Sequence, residues 1–206
     1  MALHVEDLED QSKFRKILVL RYNDVIDFVL DHIRKKSGLM IFFWSICIIF
    51  LVLAVTVRIN ISGYFPWRNI LSHSLLGFVI FPVLSIPAHE ILHIIPYYMA
   101  GARRIKVRMD LKQYIFYVTA HRHVAGPVQF SIVALTPFLL ISLALLVLIL
   151  FLPGLWKWSL SSFLFVHATM SAGDFALLNF YHITGWKKIY TWDDADLKES
   201  YFYERL

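Results

Sequence analysis

Residues 70–100 read ILSHSLLGFVIFPVLSIPAHEILHIIPYYMA. The stretch is apolar over well more than the ~20 residues that a helix needs to cross a bilayer. Its one formal charge, Glu90, stands inside the pentapeptide His89-Glu90-Ile91-Leu92-His93. A charge at bilayer depth costs roughly 3 kcal/mol or more, so a chain that keeps one there is using it.

Three further runs are long and apolar enough to span. They are residues 39–57, residues 128–152 (bounded by Pro127 and by Pro153-Gly154) and residues 158–183. Hydrophobic residues make up 58% of the 206-residue chain and charged ones 17%, with a mean hydropathy of +0.61. A soluble domain of this size needs more polar surface, so the excess faces lipid. The expected fold is an all-α integral membrane bundle of four transmembrane helices in one domain. Residues 1–38 form a cytoplasmic amphipathic N-terminal segment. Residues 39–206 form the membrane domain, with spans at about 39–57, 70–100, 128–152 and 158–183 and a short cytoplasmic tail.

The net charge of +5 does not point to nucleic acid, because the basic residues do not gather into one aromatic-laced patch. They are instead partitioned by the spans. Seven lie before residue 39, six between spans two and three, four in the tail, and three (Arg58, Arg68, Lys157) in the remaining two loops. That asymmetry places both termini in the cytoplasm. Trp67, Trp156, Trp158 and Trp186 near span ends fit interfacial anchors. The acidic first residues do not form a cleavable signal, so the first span is expected to remain as an anchor. The single cysteine, Cys47, excludes an internal disulfide and a cysteine-based zinc site.

Two segments outside the spans have a pattern. From Phe14 to Ile33, apolar residues recur at Phe14, Ile17, Leu18, Val25, Ile26, Val29, Leu30 and Ile33, which predicts an amphipathic helix, on the inner leaflet or packed on the protein. Residues 103–124 carry β-branched and aromatic residues (Val107, Tyr114, Ile115, Phe116, Tyr117, Val118, Thr119). They predict a short strand-like cytoplasmic insertion between spans two and three.

Histidines at i and i+4 share one helix face, so His89 and His93 can reach a single Zn²⁺. A catalytic zinc takes three protein ligands and keeps a position for water, whose pKa it lowers toward about 7. Glu90, beside the first ligand, is placed as general base. The only other charge within the spans is Asp174, in Ser171-Ala172-Gly173-Asp174. At ~1.5 Å per residue, His93 lies about 15 Å and Asp174 about 20 Å from the first cytoplasmic cation after its span. Asp174 is therefore the candidate third ligand, or a carboxylate that orients a histidine. Ala168, Ala172, Gly173 and Ala176 are expected to let span four approach its neighbour closely. His73 is too far along its helix to join, and His167 lies about 10 Å outward of Asp174, where it can bond another helix or touch substrate. His121 and His123 have a weaker claim as ligands from the loop, and His182 is placed at the inner interface. Pro82, Pro87, Pro96 and Pro137 free backbone carbonyls that a wet cavity or packed protein must satisfy. Thr136 either lines that cavity or bonds to its own helix.

A His-Glu-x-x-His on one span, a following span, and then an aspartate-bearing span resemble the core of the site-2 proteases. The match is closer to a bacterial family of integral membrane proteins described as putative zincin peptidases. That family is similar in the histidine motif, in a Thr-Pro-Phe element (Thr136-Pro137-Phe138) and in a Ser-small-Gly-Asp element (Ser171 to Asp174). Relative to site-2 proteases, Leu92 replaces a usual glycine, and Gly173 precedes rather than follows the aspartate. The resemblance covers residues 70–183. It implies His89, His93 and Asp174 as metal ligands, Glu90 as base, Zn²⁺ as cofactor, and a bacterial cell membrane. It also implies hydrolysis of membrane-embedded or juxtamembrane peptides. A non-catalytic metal-binding membrane regulator is the alternative. A His-box membrane oxygenase is a poorer one, since such enzymes need about eight clustered histidines and this chain has no adjacent pair.

Overall fold

The computed structural model describes residues 3–110 and 115–206; Met1 and Ala2 of the N-terminal segment, and Lys112 and Tyr114 of the strand-like loop, lie outside the described residues. Four helical stretches are long and apolar enough to cross a membrane: Gly38–Asn60, Trp67–Met99, Pro127–Phe151 and Gly154–Gly185. Each lies within four residues of its expected bounds. The first is a single helix, α3 (Gly38–Asn60), and the third a single helix, α7 (Pro127–Phe151). Ile41, Phe42, Ile48, Ile49, Val52 and Ile59 stay exposed along α3, as expected of a face turned to lipid.

The second and fourth spans are broken, and prolines explain the first of these breaks. Span two starts as α4 (Trp67–Leu75), widens into a π turn over Leu76–Ile80, continues as α5 (Phe81–Leu92) and ends as α6 (Ile94–Met99). Pro82 has no N–H for the carbonyl of Phe78, and its ring crowds that carbonyl. The wider turn just before it relieves the clash. Pro96 does the same to the carbonyl of Leu92, and the helix parts at His93. Span four is α8 (Gly154–Met170), a turn at Ser171, and α9 (Ala172–Gly185).

Spans two and four touch most closely at Gly77. A Cβ there would meet the Ser159 carbonyl oxygen at 2.4 Å and the Ser162 Cβ at 2.8 Å. Ser159, Ser161 and Ser162 are all fully buried, so small residues on both helices set this contact. Gly173 behaves differently. Nothing lies within 4 Å of where its Cβ would be, so it opens space where the sequence predicted close packing; Ala168 and Ala176 do pack, with no exposed surface.

Outside the spans the chain builds more sheet than expected. Strands β2 (Ile105–Asp110) and β3 (Ile115–Ala120) pair antiparallel as the strand-like insertion. A second, three-stranded antiparallel sheet has the order β1-β5-β4, from β1 (Phe14–Arg21), β4 (Ile189–Asp194) and β5 (Glu199–Arg205). The amphipathic helix expected over residues 14–33 is therefore corrected: its first half is strand β1, and only Val25–Arg34 is helical, as α2. The reason is a register shift between Lys16 and Leu18. It interrupts the two-residue alternation of the strand, so that buried Phe14 and Leu20 with half-buried Ile17 and Leu18 imitate helical spacing. The expected short tail is likewise a folded hairpin.

Asn179 joins these parts. This fully buried side chain donates to the carbonyls of His32 (2.8 Å) and Lys35 (3.0 Å) and accepts from Ser37 Oγ (2.6 Å). It thereby caps the end of α2 and the start of α3, whose Ser37 accepts in turn from the Met40 N–H. Asn179→Leu removes the amide's bonds to both carbonyls and leaves the Ser37 hydroxyl proton without its acceptor, and each buried bond lost costs about 1–3 kcal/mol. Thermal unfolding in detergent is expected to show a loss of several kcal/mol, whereas substitutions on the lipid face of α3, such as Ile48→Val, leave the midpoint within a degree or two.

Candidate metal centre

The breaks in spans two and four bring their polar residues together. His89 sits near the end of α5, and His93 stands at its junction with α6. Asp174 lies in the first turn of α9, just past the turn at Ser171. His89 Nε2 is 3.1 Å from Asp174 Oδ2, and His93 Nε2 is 3.6 Å from Asp174 Oδ1. Ligand atoms of His89, Glu90 and His93 all lie within 4.8 Å of one another. Zinc bound tetrahedrally at ~2.05 Å separates its ligand atoms by about 3.3 Å, and each imidazole lies near that distance from one of the two Asp174 oxygens. The donor set fits a zinc ion.

The outer nitrogens of both imidazoles are engaged. His93 Nδ1 donates to the Val133 carbonyl of α7 at 2.9 Å, which leaves the Nε2 lone pair facing Asp174. That carbonyl is accessible because Pro137, four residues on, has no N–H to offer it. His89 Nδ1 lies 3.3 Å from His167 Nε2. If His89 presents its Nε2 lone pair, its Nδ1–H donates to His167. Such bonds fix tautomer and ring orientation at metal sites. His167 has no exposed surface, and its own Nδ1 has no hydrogen-bond partner among the described residues. Sequence depth placed His167 outward of the site, with a bond to another helix or a contact with substrate as open roles, and the structure shows the first. The missing signal was reach, because His89 lies one turn outward of His93 and extends its ring toward α8.

The other expected candidates lie elsewhere. His73 Nδ1 bonds Ser159 Oγ at 2.7 Å, far along span two, and Thr136 donates to the Ile132 carbonyl of its own helix. His121 belongs to a second cluster with Asp194 and Asp196. Lys106 Nζ holds Asp196 at 2.7 Å, Asp194 Oδ1 accepts from the N–H groups of Asp196 and Leu197, and His121 Nδ1 accepts from the Ala195 N–H. These bonds make the cluster a clasp that closes the β4–β5 turn, away from His89 and His93. His123 packs beside Tyr97, with ring centroids 6.4 Å apart, and not against the site.

A cavity of about 300 Å³ opens on the site. Span residues His89, Glu90, His93 and Asp174 line one part, and the backbone of Val118 in β3 faces the Glu90 carboxylate. The sheet outside the spans lines another part, with Thr191, Asp193 and Ser200. Tyr22, after β1, meets Tyr117 of β3 edge-on at 4.7 Å across it. Burial pushes the Asp193 carboxyl up to about 6, opposed by a 2.5 Å hydrogen bond donated by Ser200 Oγ.

Among known proteins, a family model described as putative zincin peptidase matches residues 82–184. No curated protein and no solved structure matches the chain.

Two outcomes are expected from this geometry. Purified wild type should carry one zinc per chain by elemental analysis, lost in His89→Ala and Asp174→Ala; His167→Ala should retain zinc but bind it about 10–100-fold more weakly in chelator competition. For Asp193 the folded-state pKa lies above the unfolded one, so the folded chain binds the extra proton between pH ~4 and 6. Stability then falls as pH rises through that window, and the cost is complete above it. Asp193→Asn should therefore unfold at about 1–3 kcal/mol higher free energy at pH 7.5, with the gain gone near pH 4.

Proposed function

The chain belongs to the putative zincin peptidase family, whose cofactor is zinc, and from that premise we propose that it is an intramembrane zinc metallopeptidase of site-2-protease type. The observation that carries this reading is the convergence of His89 Nε2, His93 Nε2 and the Asp174 carboxylate inside two apolar spans, with Glu90 beside them. An ionisable cluster of this kind at bilayer depth is too costly to persist without use. Its substrates are membrane-embedded or juxtamembrane peptide segments, and both termini face the cytoplasm, as the partition of basic residues indicates.

In this reading His89, His93 and Asp174 hold the ion. When bound, zinc lowers the pKa of a water toward about 7 and polarises the scissile carbonyl. Glu90 takes the proton of that water on its carboxylate and delivers it to the leaving amine nitrogen. His167 and the Val133 carbonyl keep the two imidazoles in the tautomer that faces the ion. Strand β3 supplies the substrate's alignment. Residues 117–119 of this strand line the cavity, and an unwound substrate segment can add along them by main-chain hydrogen bonds.

Glu90→Gln is expected to retain one zinc per chain and to lose about 100-fold or more of the cleavage rate toward a single-span peptide in bilayer nanodiscs. Cleavage at the wild-type rate by this form would remove Glu90 from the mechanism.

A further inference from the structure

The cavity that contains the metal site has a second acidic end. Besides the four span residues, the sheet brings Asp193 of β4 and Ser200 of β5 to its wall. Three carboxylates thus line one cavity, Glu90, Asp174 and Asp193, and none of its described lining residues is a lysine or an arginine. A divalent ion held by His89, His93 and Asp174 offsets the two carboxylates at its own end. It leaves the charge of Asp193 unbalanced. Three basic residues on neighbouring elements pair with other carboxylates: Lys106 with Asp196, Arg122 with Glu6, and Arg21 with Glu199. His121 pairs with Asp194 and Asp196 rather than with Asp193. The side-chain partner of Asp193 is the neutral hydroxyl of Ser200. Asp193 is only partly covered, and its remaining surface opens into the cavity.

A buried carboxylate with one neutral partner is costly, and burial disfavours its charged form. A fold that needed only a hydrogen-bond acceptor for Ser200 would do as well with asparagine. The carboxylate is worth its cost when an arriving cation neutralises it in a site shielded from water.

We infer that Asp193 receives a lysine or arginine side chain of the substrate, on the flank that leaves the membrane on the side of the β1-β5-β4 sheet. This deepens the peptidase reading above and rests on it. Asp193 lies on a strand outside the spans, and Glu90 lies within one, so a peptide bond held at Glu90 directs one flank of the substrate along the cavity toward the sheet. With that side cytoplasmic, the flank is where membrane proteins concentrate lysine and arginine. The long apolar stem of either residue suits the walls of the cavity, and its head meets the carboxylate. The site therefore selects single-span segments by the basic residue that ends them and sets the distance from that residue to the scissile bond.

The test uses the zinc-loaded Glu90→Gln protein in nanodiscs of zwitterionic lipid, so that neither turnover nor anionic lipid contributes. The probes are N-acetylated, C-amidated single-span peptides, identical except at one juxtamembrane position that carries Lys, Arg, Gln or norleucine, scanned residue by residue. Fluorescence anisotropy at pH 7.5 should show Lys and Arg binding about tenfold or more tighter than Gln at one register. That preference should fall below about twofold when Asp193→Asn is added, a near-isosteric change that still accepts from Ser200. Adding Asp193→Lys instead should turn the preference toward a glutamate at the same register. A preference that survives Asp193→Asn, no preference in either form, or no binding of any peptide would overturn the assignment. The peptidase reading fails separately: peptides that bind with the stated preference but are never cut by zinc-loaded wild type would remove the reaction and leave the basic-residue site standing.

Discussion

The structure depends on one constraint, the meeting of two imidazoles and two carboxylates in the middle of apolar helices. A straight α5–α6 helix would continue its ladder past His93, and a straight α8–α9 helix would carry Asp174 along its own axis. Instead Pro96 parts span two at His93, and span four turns at Ser171, three residues before Asp174. Each break frees backbone and lets one helix end aim at the other. The resulting separations of 3.1 and 3.6 Å between imidazole nitrogens and carboxylate oxygens are short for uncompensated charge in hydrocarbon and natural for ligands of one cation. The close contact at Gly77 serves the same end, since it fixes span two against α8 well before the chain reaches His89.

The parts outside the spans extend that arrangement into a chamber. Both chain ends come together in one sheet, because β1 pairs with β5 over almost its full length, from Phe14–Arg205 to Arg21–Glu199. The sheet is tied to α9 through a core that includes Leu178, Phe180, Tyr181 and Phe202, and Phe130 of α7 stacks on Tyr181 at 4.5 Å. The hairpin β2–β3 stands opposite, held to the sheet through the His121–Asp193 bridge and the Lys106–Asp196 pair. The cavity is thus closed on one side by helices and on the other by strands from three separate parts of the chain. Tyr22 and Val118 both line it, so the Glu90 side chain faces a walled cavity rather than an open helix face.

Much of this was legible in the sequence because membranes write in large letters. Four spans follow from apolar length, and the polar pair of spans two and four follows from asking which charges lie where they should not. The β2–β3 hairpin was visible in its run of β-branched and aromatic residues. What the sequence hid was non-local. β1 finds its partner β5 nearly the whole chain away, and its irregular register disguised it as a helix. Asn179 carries no charge and so drew no attention among apolar neighbours, although it caps two helices at once. Axial distance removed His167 from the ligands but could not say which residue it would bond, since it takes no account of the reach of the His89 ring. Asp193 lay in a tail too short to be read as a wall of anything.

These hidden elements divide the work that a metal site asks of a fold. The motif residues supply the donors, but an imidazole offers two nitrogens, and the wrong tautomer turns an N–H toward the ion. For His93 that choice is made from outside the motif, by the Val133 carbonyl, which can only accept, while the outer nitrogen of His89 rests against His167. The Val133 carbonyl is free to accept only because Pro137 cannot bond to it, so a proline in span three sets the tautomer of a histidine in span two. The Thr136-Pro137-Phe138 element thereby acquires a physical reason. The proline frees the carbonyl, and the phenylalanine packs against Phe175 of α9 at 5.2 Å, beside Asp174. Span three contributes no ligand, yet without it neither the imidazole nor the carboxylate would be held where the other needs it.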